Sequence, residues 1–217
     1  MGLVVRYIQL EELIERYDAG ERDFTGFEVR TDKTYEDGEL EDVDLSGIIL
    51  KGGSLYYVSG FLQGINLSGA DLRKLDLMYA NFRHANLKGA NLSRTCLWRA
   101  NFYYANLTGA NLSRTDLQET EFFKAEMRGV NLSQAEILDT SFGGANLIDA
   151  NFTKLRKCQG FRLRETNLNG ADFSDTDLSR ANVTIDELKG SYFKNTIMPN
   201  GTIGNTEKWN CHCPYFI

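Results

Sequence analysis

The chain has 217 residues, 42% of them hydrophobic, with two prolines and four cysteines. This composition suits one ordinary domain with a hydrophobic core, and the few, irregularly spaced cysteines argue against a disulfide framework. No apolar stretch approaches the roughly 18 residues of a membrane helix, and no secretory signal is recognisable, so we expect a cytoplasmic protein that does not bind a membrane. The net charge of the chain is −6, and residues 1–60, with 6 basic and 14 acidic side chains, contribute −8 of it, which the rest of the chain partly offsets.

The N-terminal residues predict a short helix ahead of the rest of the fold. Within residues 8–17, Ile8, Leu13, Ile14 and Tyr17 fall near one helical face. Such a helix can cover the open end of a repeat structure, where exposed backbone would otherwise pair with other chains. We therefore assign residues 1–22 to an N-terminal helical cap.

A five-residue period dominates the middle of the chain. From residue 62 to residue 152 every fifth residue is Leu, Phe, Met or Ile, which makes nineteen apolar centres. A small or apolar residue lies two before each centre, and Asn or Asp lies directly before thirteen of the nineteen. Two inward positions separated by an outward one predict a short extended segment, and the remaining residues must turn the chain. Because one unit cannot bury its apolar residues alone, the units must stack.

A twenty-residue period groups these units into coils. Four centres at this spacing are phenylalanines: Phe82, Phe102, Phe122 and Phe142. Glycines recur at the same spacing: Gly69, Gly89, Gly109 and Gly129. If four units close one turn, residues twenty apart lie one above the other, the Phe rings form an internal ladder, and the glycines share one corner. The sequence therefore predicts an all-β, four-sided coil with backbone hydrogen bonds between coils.

The period continues on both sides of this block with small shifts. It needs two extra residues between Leu55 and Leu62, and it is displaced by one after the stretch "NFTKLRKC". Such shifts indicate bulges or loops on the edge of one solenoid, and not domain boundaries. Altogether the pattern covers about 160 residues, or about eight coils, and we assign residues 23–183 to this repeat body.

The repeat pattern ends near Val183, because its continuation would bury the charged Asp186. The stretch "TIDE", residues 184–187, has instead the Thr-x-x-Glu form of a capping box. We predict a short helical turn that Gly190 ends. Residues 184–217 are accordingly assigned to a C-terminal helical cap and tail.

Units of the form A-(N/D)-L-x-x, as in "GADLRKLDLMYANFRHANLKGANLSRT", resemble the pentapeptide repeat family. The flanks "ELIERYDAGERDF" and "IMPNGTI" are similar to those of members common in cyanobacteria. The resemblance implies a right-handed quadrilateral parallel β-helix, and most members have no assigned biochemical activity. The members that have been studied bind other proteins, and they include topoisomerase-protecting DNA mimics and a regulator of heterocyst differentiation.

Residues suited to catalysis or metal binding are scarce. The two histidines, His84 and His212, lie in different parts of the sequence, and none of the common catalytic motifs is present. The tail "CHC", residues 211–213, could supply metal ligands, but neighbours in an extended segment point in opposite directions and a site needs about four ligands. Cys158 falls on a centre and is expected in the core, whereas Cys96 takes an outward position. We predict no enzyme activity, no cofactor and no metal site.

The outward positions of the coils include one group of large side chains. Stacking by twenty places its aromatic rings over two adjacent faces with cations at their fringe. We predict a protein-interaction patch made of eight residues: Tyr79, Arg83, Trp98, Arg99, Tyr103, Tyr104, Phe123 and Lys124. Exposed aromatic side chains beside arginines are typical of interface anchors. The alternative is that the rings lie flat along neighbouring coils or are covered by a flank or loop.

A second set of outward residues, Lys74, Arg94 and Arg114, repeats every twenty at another corner, with Arg73 nearby. It could attract phosphate, although a solvated corner is the favoured interpretation. Aromatic residues among arginines can also bind single-stranded nucleic acid. Residues 61–160 carry 12 basic and 9 acidic side chains, however, and this small surplus argues against nucleic acid as the partner.

The sequence thus favours a non-enzymatic scaffold that binds a protein partner of unknown identity, as a monomer or a weak homodimer. Besides the patch, the acidic segment 36–44 is a candidate contact. The alternative is a DNA-mimicking inhibitor or protector of a type II topoisomerase (gyrase), which needs acidic columns along a face. The position before each centre is instead mostly Asn, with sparse acids such as Glu121 and Glu126. An enzyme would need a pocket that joins His84, Arg99 and a carboxylate.

Overall fold

The computed structural model describes residues 6–31, 40, 43–55 and 59–206. Regular helices and strands are short, and most of this part of the chain forms isolated parallel bridges between successive coils. The regular elements are β1 (Arg6–Gln9), α1 (Leu10–Asp18), β2 (Phe27–Arg30), the 3₁₀ turns η1 (Ser59–Phe61) and η2 (Asp186–Leu188), β3 (Thr196–Ile197) and β4 (Ile203–Gly204).

The parallel bridges join residues that lie directly before the centres. In the middle of the chain the bridges recur every five residues and connect residues twenty apart, as Asn66 with Asn86 and Asn81 with Asn101. Backbone hydrogen bonds between successive coils accompany each bridge. The predicted β-helix, with five residues per unit and twenty per coil, is confirmed.

Each backbone N–H of a unit has its own acceptor, and this explains the residue type at each position. In the unit of residues 66–70, the N–H groups of Leu67 and Gly69 donate to the next coil and that of Asn66 to the preceding one. The Ala70 N–H donates to the Leu67 carbonyl at 3.1 Å and closes the turn. The Ser68 N–H donates to Asn66 Oδ1 at 3.1 Å. Where Asn or Asp precedes a centre, its side chain therefore supplies the one acceptor that the backbone lacks.

The centres and the small residues beside them form a continuous apolar interior. All nineteen centres from residue 62 to residue 152 are buried. The rings of Phe82, Phe102, Phe122 and Phe142 stack with centroid distances of 5.0, 4.9 and 5.2 Å, so the predicted ladder is confirmed. Three threonines in the small position, Thr95, Thr120 and Thr140, bury a hydroxyl that donates across coils, as Thr120 does to the Leu97 carbonyl at 2.8 Å. The hydrogen bond offsets the cost of burying that hydroxyl.

One corner of the coil consists of glycines, as predicted. Gly69, Gly89, Gly109 and Gly129 have φ values between 66° and 68°, the left-handed region that glycine adopts without a steric penalty. At the other corners larger residues take the same conformation, for example Lys74 with a φ of 62°. A residue with a Cβ in this conformation costs about 1 kcal/mol of conformational free energy, so each side chain at those corners is slightly destabilising by its backbone conformation alone.

Both predicted shifts of the repeat are present. Asp44 pairs with Asn66, two residues more than a full coil, and η1 occupies the same stretch of chain. Glu136 pairs with Lys157, one residue more than a full coil. The inward positions continue on either side of each shift, and the solenoid is uninterrupted.

The N-terminal helix starts later than the sequence predicts. Ile8 belongs to β1, which pairs in parallel with β2 and lies opposite Val29. The first coil has backbone groups that need partners, and an extended segment rich in Ile and Tyr supplies them whereas a helix cannot. Leu13 and Tyr17 of α1 are buried, so one helical face does pack on the core.

The predicted capping box is present at the other end. The Thr184 N–H donates to Glu187 Oε2 at 2.8 Å, and the Glu187 N–H donates to Thr184 Oγ1 at 3.3 Å. The turn that follows is the 3₁₀ turn η2, and Gly190 comes after it with a φ of 83°.

Parallel pairing resumes after this turn. Asp172 pairs with Tyr192, and the Phe173 and Phe193 rings stack at 6.1 Å. The antiparallel pair of β3 and β4 follows. The sequence pattern does not extend past Val183, yet the chain adds one more partial layer to the stack.

Candidate functional site

All eight residues of the predicted patch lie at the turns of the coil. The third and fourth residues of each unit form the turn, and the fourth adopts a positive φ, as Tyr79, Arg99 and Tyr104 do with values of 60°, 56° and 59°. Hydrogen bonds between coils hold residues twenty apart in register. The patch therefore consists of two columns of side chains on adjacent sides of the coil.

The first column is built around Trp98. The Tyr79 ring meets the Trp98 ring edge-on with centroids 5.0 Å apart, and the Arg99 guanidinium lies 4.7 Å from the Trp98 ring centroid. Arg99 Nε donates to Glu119 Oε2 at 2.6 Å, and Trp98 Nε1 donates to Glu119 Oε1 at 3.4 Å. The hydrogen bond from Arg99 lowers the pKa of Glu119 below its ordinary value and raises that of Arg99. Glu119 thus fixes both partners.

Sequence reasoning missed Glu119 as a member of this column. The signal was present, because Glu119 lies twenty residues after Arg99 and residues at that spacing stack. A carboxylate directly above an arginine is the arrangement that an ion pair needs.

The second column consists of aromatic rings from successive coils. His84 stacks on Tyr104 with centroids 5.2 Å apart and planes 3° apart. Phe123 contacts both Tyr103, at 5.4 Å, and Tyr104, at 6.1 Å with nearly perpendicular planes. The stacking fixes the orientation of His84, which was not among the predicted patch residues.

Two cations border this second column. The Arg83 guanidinium lies 5.3 Å from the Tyr103 ring centroid, and Lys124 Nζ lies 5.3 Å from the Phe123 ring centroid and 5.7 Å from that of Tyr104. These distances permit cation–π attraction. The two cations are therefore held beside the rings of this column.

The rings are partly covered by one another and partly open. Tyr79 and Tyr104 expose 51% and 44% of their surface, whereas Trp98, Tyr103 and Phe123 are half-buried. Both interpretations of the sequence apply in part, because the rings lie along neighbouring coils and still present apolar surface at the corners.

The second column ends at two glycines. Gly143 and Gly144 occupy the turn positions that follow Phe123 and Lys124. A Cβ on Gly143 would lie 3.5 Å from Phe123 Cδ2, and one on Gly144 would lie 3.2 Å from Lys124 Cγ. The aromatic surface therefore has a flat margin on the C-terminal side.

The cysteines do not form a reactive site in the described residues. Cys158 is buried as predicted, and burial raises the pKa of its thiol to about 12. Cys96 is half-buried, and burial raises the pKa of its thiol as well. A raised pKa keeps a thiol protonated and unreactive.

Other predicted features fall partly outside the described residues. Cys211, His212 and Cys213 lie there, as does most of the acidic segment 36–44. In the part that is described, no group of three or more His, Cys, Asp or Glu side chains is arranged to hold a metal ion. In the same part, no helix combines the length and apolar character required to cross a bilayer.

The fold and its surface define a β-helical solenoid in which the repeated residues build core and turns and the variable residues cover the sides. A family model described as pentapeptide repeats matches in eight copies over residues 62–99, 100–137, 125–156 and 157–184. The chain belongs to the pentapeptide repeat family, whose members form right-handed β-helices.

The solved structures that are similar to this chain include the following three. HetL, a pentapeptide repeat protein involved in heterocyst differentiation regulation from the cyanobacterium Nostoc sp. strain PCC 7120, is 21% identical over 91% of this chain and 100% of its own, with a TM-score of 0.47. A trypsin-treated form of QnrB1, a plasmid-mediated fluoroquinolone resistance protein, is 21% identical over 80% and 83%, with a TM-score of 0.44. Rfr23 from the cyanobacterium Cyanothece 51142 is 28% identical over 52% and 63%, with a TM-score of 0.24. No curated protein matches the chain.

Proposed function

We propose that this chain is a non-enzymatic scaffold that binds a protein partner through the predicted patch. The supporting observation is the pair of adjacent turn columns in which partly exposed aromatic rings pack on one another beside cations. Tyr, Trp and Arg are the residues most often found at the energetic centre of interfaces. The ring contacts and the Arg99–Glu119 ion pair already hold these side chains in place. The side chains therefore lose little further conformational entropy when a partner binds.

The charges around the patch suggest the character of the partner. Glu119 neutralises Arg99, whereas Arg83 and Lys124 lie beside aromatic rings and have no ion-pair partner among the described residues. The patch therefore presents an apolar centre with two cations at its border. A complementary surface has an apolar or aromatic centre and acidic residues at its rim.

The scaffold itself is proposed to be a right-handed quadrilateral β-helix of about eight coils in the cytoplasm. Residues 1–22 form its N-terminal cap, 23–183 its body, and 184–217 its C-terminal cap and tail. β1 and α1 pack on the first coil, and η2 with the pair of β3 and β4 packs on the last, which supports this division. Capped ends keep the stack from adding strands of other chains.

The alternative of a gyrase-directed DNA mimic requires continuous negative columns, and the surface offers little support for it. The column of Asp76, Cys96, Asp116 and Glu136 is interrupted by the cysteine and ends at Lys157. Lys157 Nζ and Arg156 also pair with Glu136 at 2.7 and 2.8 Å. Neutralised carboxylates do not imitate a row of phosphates.

The experiment is affinity capture from native lysate with three baits: the unchanged protein, a Trp98→Ala, Tyr103→Ala variant, and a Lys88→Ala, Thr108→Ala control. The control alters the same turn position on another side of the coil. We expect a partner that the unchanged and control baits retain and the patch variant loses, with Kd raised about 30-fold when measured with the purified partner.

Equal recovery by all three baits, with equal circular dichroism spectra, contradicts the proposal. Capture of gyrase together with inhibition or protection of its supercoiling activity establishes the alternative function instead.

A further inference from the structure

A third turn column carries cations in place of aromatic rings. Lys74, Arg94 and Arg114 occupy the fourth position of successive units at one corner, and all three are exposed. We call these three residues the basic column. Successive coils lie about 4.8 Å apart, so the column spans about 10 Å along the solenoid.

The basic column forms one wall of a shallow groove of about 450 Å³. The other wall consists of third-position residues, and most of these are small. The groove is lined by Lys51, Arg73, Lys74, Ser93, Arg94, Ser113, Arg114, Ser133 and Gln134. Donor groups line it throughout, and its lining includes neither an aromatic nor an acidic side chain in the part of the chain that the structure describes.

Most side-chain donors of the groove have no acceptor among the described residues. The basic column differs in this respect from surface arginines that form ion pairs. Arg73 pairs with Asp71 at 2.6 Å, as Arg99 pairs with Glu119. Among the described residues, the three side chains of the basic column have no carboxylate within 4 Å. The backbone N–H groups of Ser93, Ser113 and Ser133 bond to asparagine side chains, but their hydroxyls have no partner in the same part of the chain.

Stacked like charges repel one another, and an anion that spans several coils removes this repulsion. The neighbouring corner shows that the fold does not require cations here, because Gly69, Gly89 and Gly109 occupy the equivalent positions. A row of unpaired cations beside free hydroxyl donors matches a ligand that presents a row of anionic oxygens.

We infer that the groove binds a linear chain of phosphates, namely inorganic polyphosphate. A single-stranded nucleic acid fits less well, because the described lining residues include no aromatic ring on which successive bases could stack. An acidic peptide also fits less well. An extended peptide presents carboxylates on one face only about every 6.6 Å, which is wider than the spacing of about 4.8 Å between the cations of successive coils. Polyphosphate has an anion at every link and no side chains.

The test measures binding of end-labelled polyphosphate by fluorescence anisotropy at low salt. The test variant is Lys74→Gly, Arg94→Gly, Arg114→Gly, in which glycine suits the positive φ at each position. The control variant, Arg164→Ser, Arg180→Ser, Lys189→Ser, removes the same charge elsewhere. We expect Kd to rise about tenfold or more in the test variant and to stay within about twofold in the control.

Salt dependence and competitors complete the test. Loss of three phosphate contacts is expected to lower the slope of log Kd against log salt by about 2. Absence of binding by the unchanged protein, or equal affinity in the test and control variants, overturns the inference. Tighter binding of polyglutamate or of oligothymidylate than of polyphosphate also overturns it and assigns the groove to that class. The Trp98→Ala, Tyr103→Ala variant is expected to bind polyphosphate normally, so this result is independent of the proposed protein interaction.

Discussion

Phe122 provides the most direct test of how the interior of the stack is held together. Its side chain is fully buried, and its ring lies between those of Phe102 and Phe142 at centroid distances of 4.9 and 5.2 Å. The three rings are nearly parallel, with interplanar angles of 11° and 4°. Replacing Phe122 by Ala removes a ring that is contacted on both faces.

The expected cost follows from this environment. Phe→Ala in a protein core costs about 3–5 kcal/mol, and we expect the upper half of that range because hydrogen bonds between coils keep the walls of the cavity apart. Phe122→Leu introduces the residue type found at most other centres. It removes chiefly the stacking of the ring on its two neighbours, which contributes about 0.5–1.5 kcal/mol for each pair. We therefore expect a cost of about 1–3 kcal/mol for Leu.

Urea unfolding followed by far-UV circular dichroism measures both variants. Leu107→Met, which conserves volume at another buried centre, is the control and should cost less than about 1.5 kcal/mol. A double-mutant cycle of Phe102→Leu with Phe122→Leu isolates the ring pair, with an expected coupling of about 0.5–1.5 kcal/mol.

The reasoning about the ladder is refuted by either of two results. One is that Phe122→Leu destabilises no more than Leu107→Met. The other is that the two Phe→Leu changes add within about 0.5 kcal/mol, the usual limit for independent sites. The rings would then contribute buried volume but no specific stacking.

Three further predictions concern the turns and the buried thiol. Asn101→Ala removes the acceptor of the Tyr103 N–H at 2.9 Å and should lower stability by about 1–2 kcal/mol in urea unfolding, whereas Asn101→Asp keeps the acceptor and should cost clearly less. A Cβ on Gly89 would meet open space, but the φ of 68° there is unfavourable for alanine, so Gly89→Ala should cost about 1 kcal/mol of stability. A Cβ on Gly53 would collide with the Phe27 carbonyl oxygen, so Gly53→Ala should prevent normal folding. Equal urea midpoints of the two variants would contradict this contrast. Burial raises the pKa of Cys158 from 9.0 to about 12, so the unfolded chain loses this proton first and stability should fall as the pH rises from 9 towards 12. Cys158→Ala should flatten that decline in the urea midpoint, and an unchanged slope would show that the thiol is not responsible.

The repeat made much of the fold predictable. In a solenoid the spatial neighbours of a residue lie one coil away, so contacts that are usually invisible in a sequence appear as a fixed offset of twenty. The Phe ladder, the glycine corner, the shift after Leu55 and the shift by one at the stretch "NFTKLRKC" followed from this offset. The same rule would have found the ion pair of Arg99 and Glu119, had it been applied to opposite charges as well as to the row of cations.

The ends of the stack were less predictable, because they have no copy at the offset. Ile8 fits a helical face by spacing, but the first coil offers an unfilled edge and the residue joins a strand. Tyr192 and Phe193 follow a turn that interrupts the period, yet they pair with the preceding coil. In both cases the local pattern was outweighed by backbone groups elsewhere that needed partners.

The sequence by itself determined the coil, since five-residue spacing of buried and turning residues is a local property repeated along the chain. Only the tertiary structure decided which surface is available. Three features depend on how side chains from different coils meet. They are the exposure of Tyr79 and Tyr104, the hydrogen bond from Trp98 to Glu119, and the absence of ion-pair partners for the basic column among the described residues. Spacing places residues in the same column, but packing and hydrogen bonding between coils decide which of their groups remain free to bind.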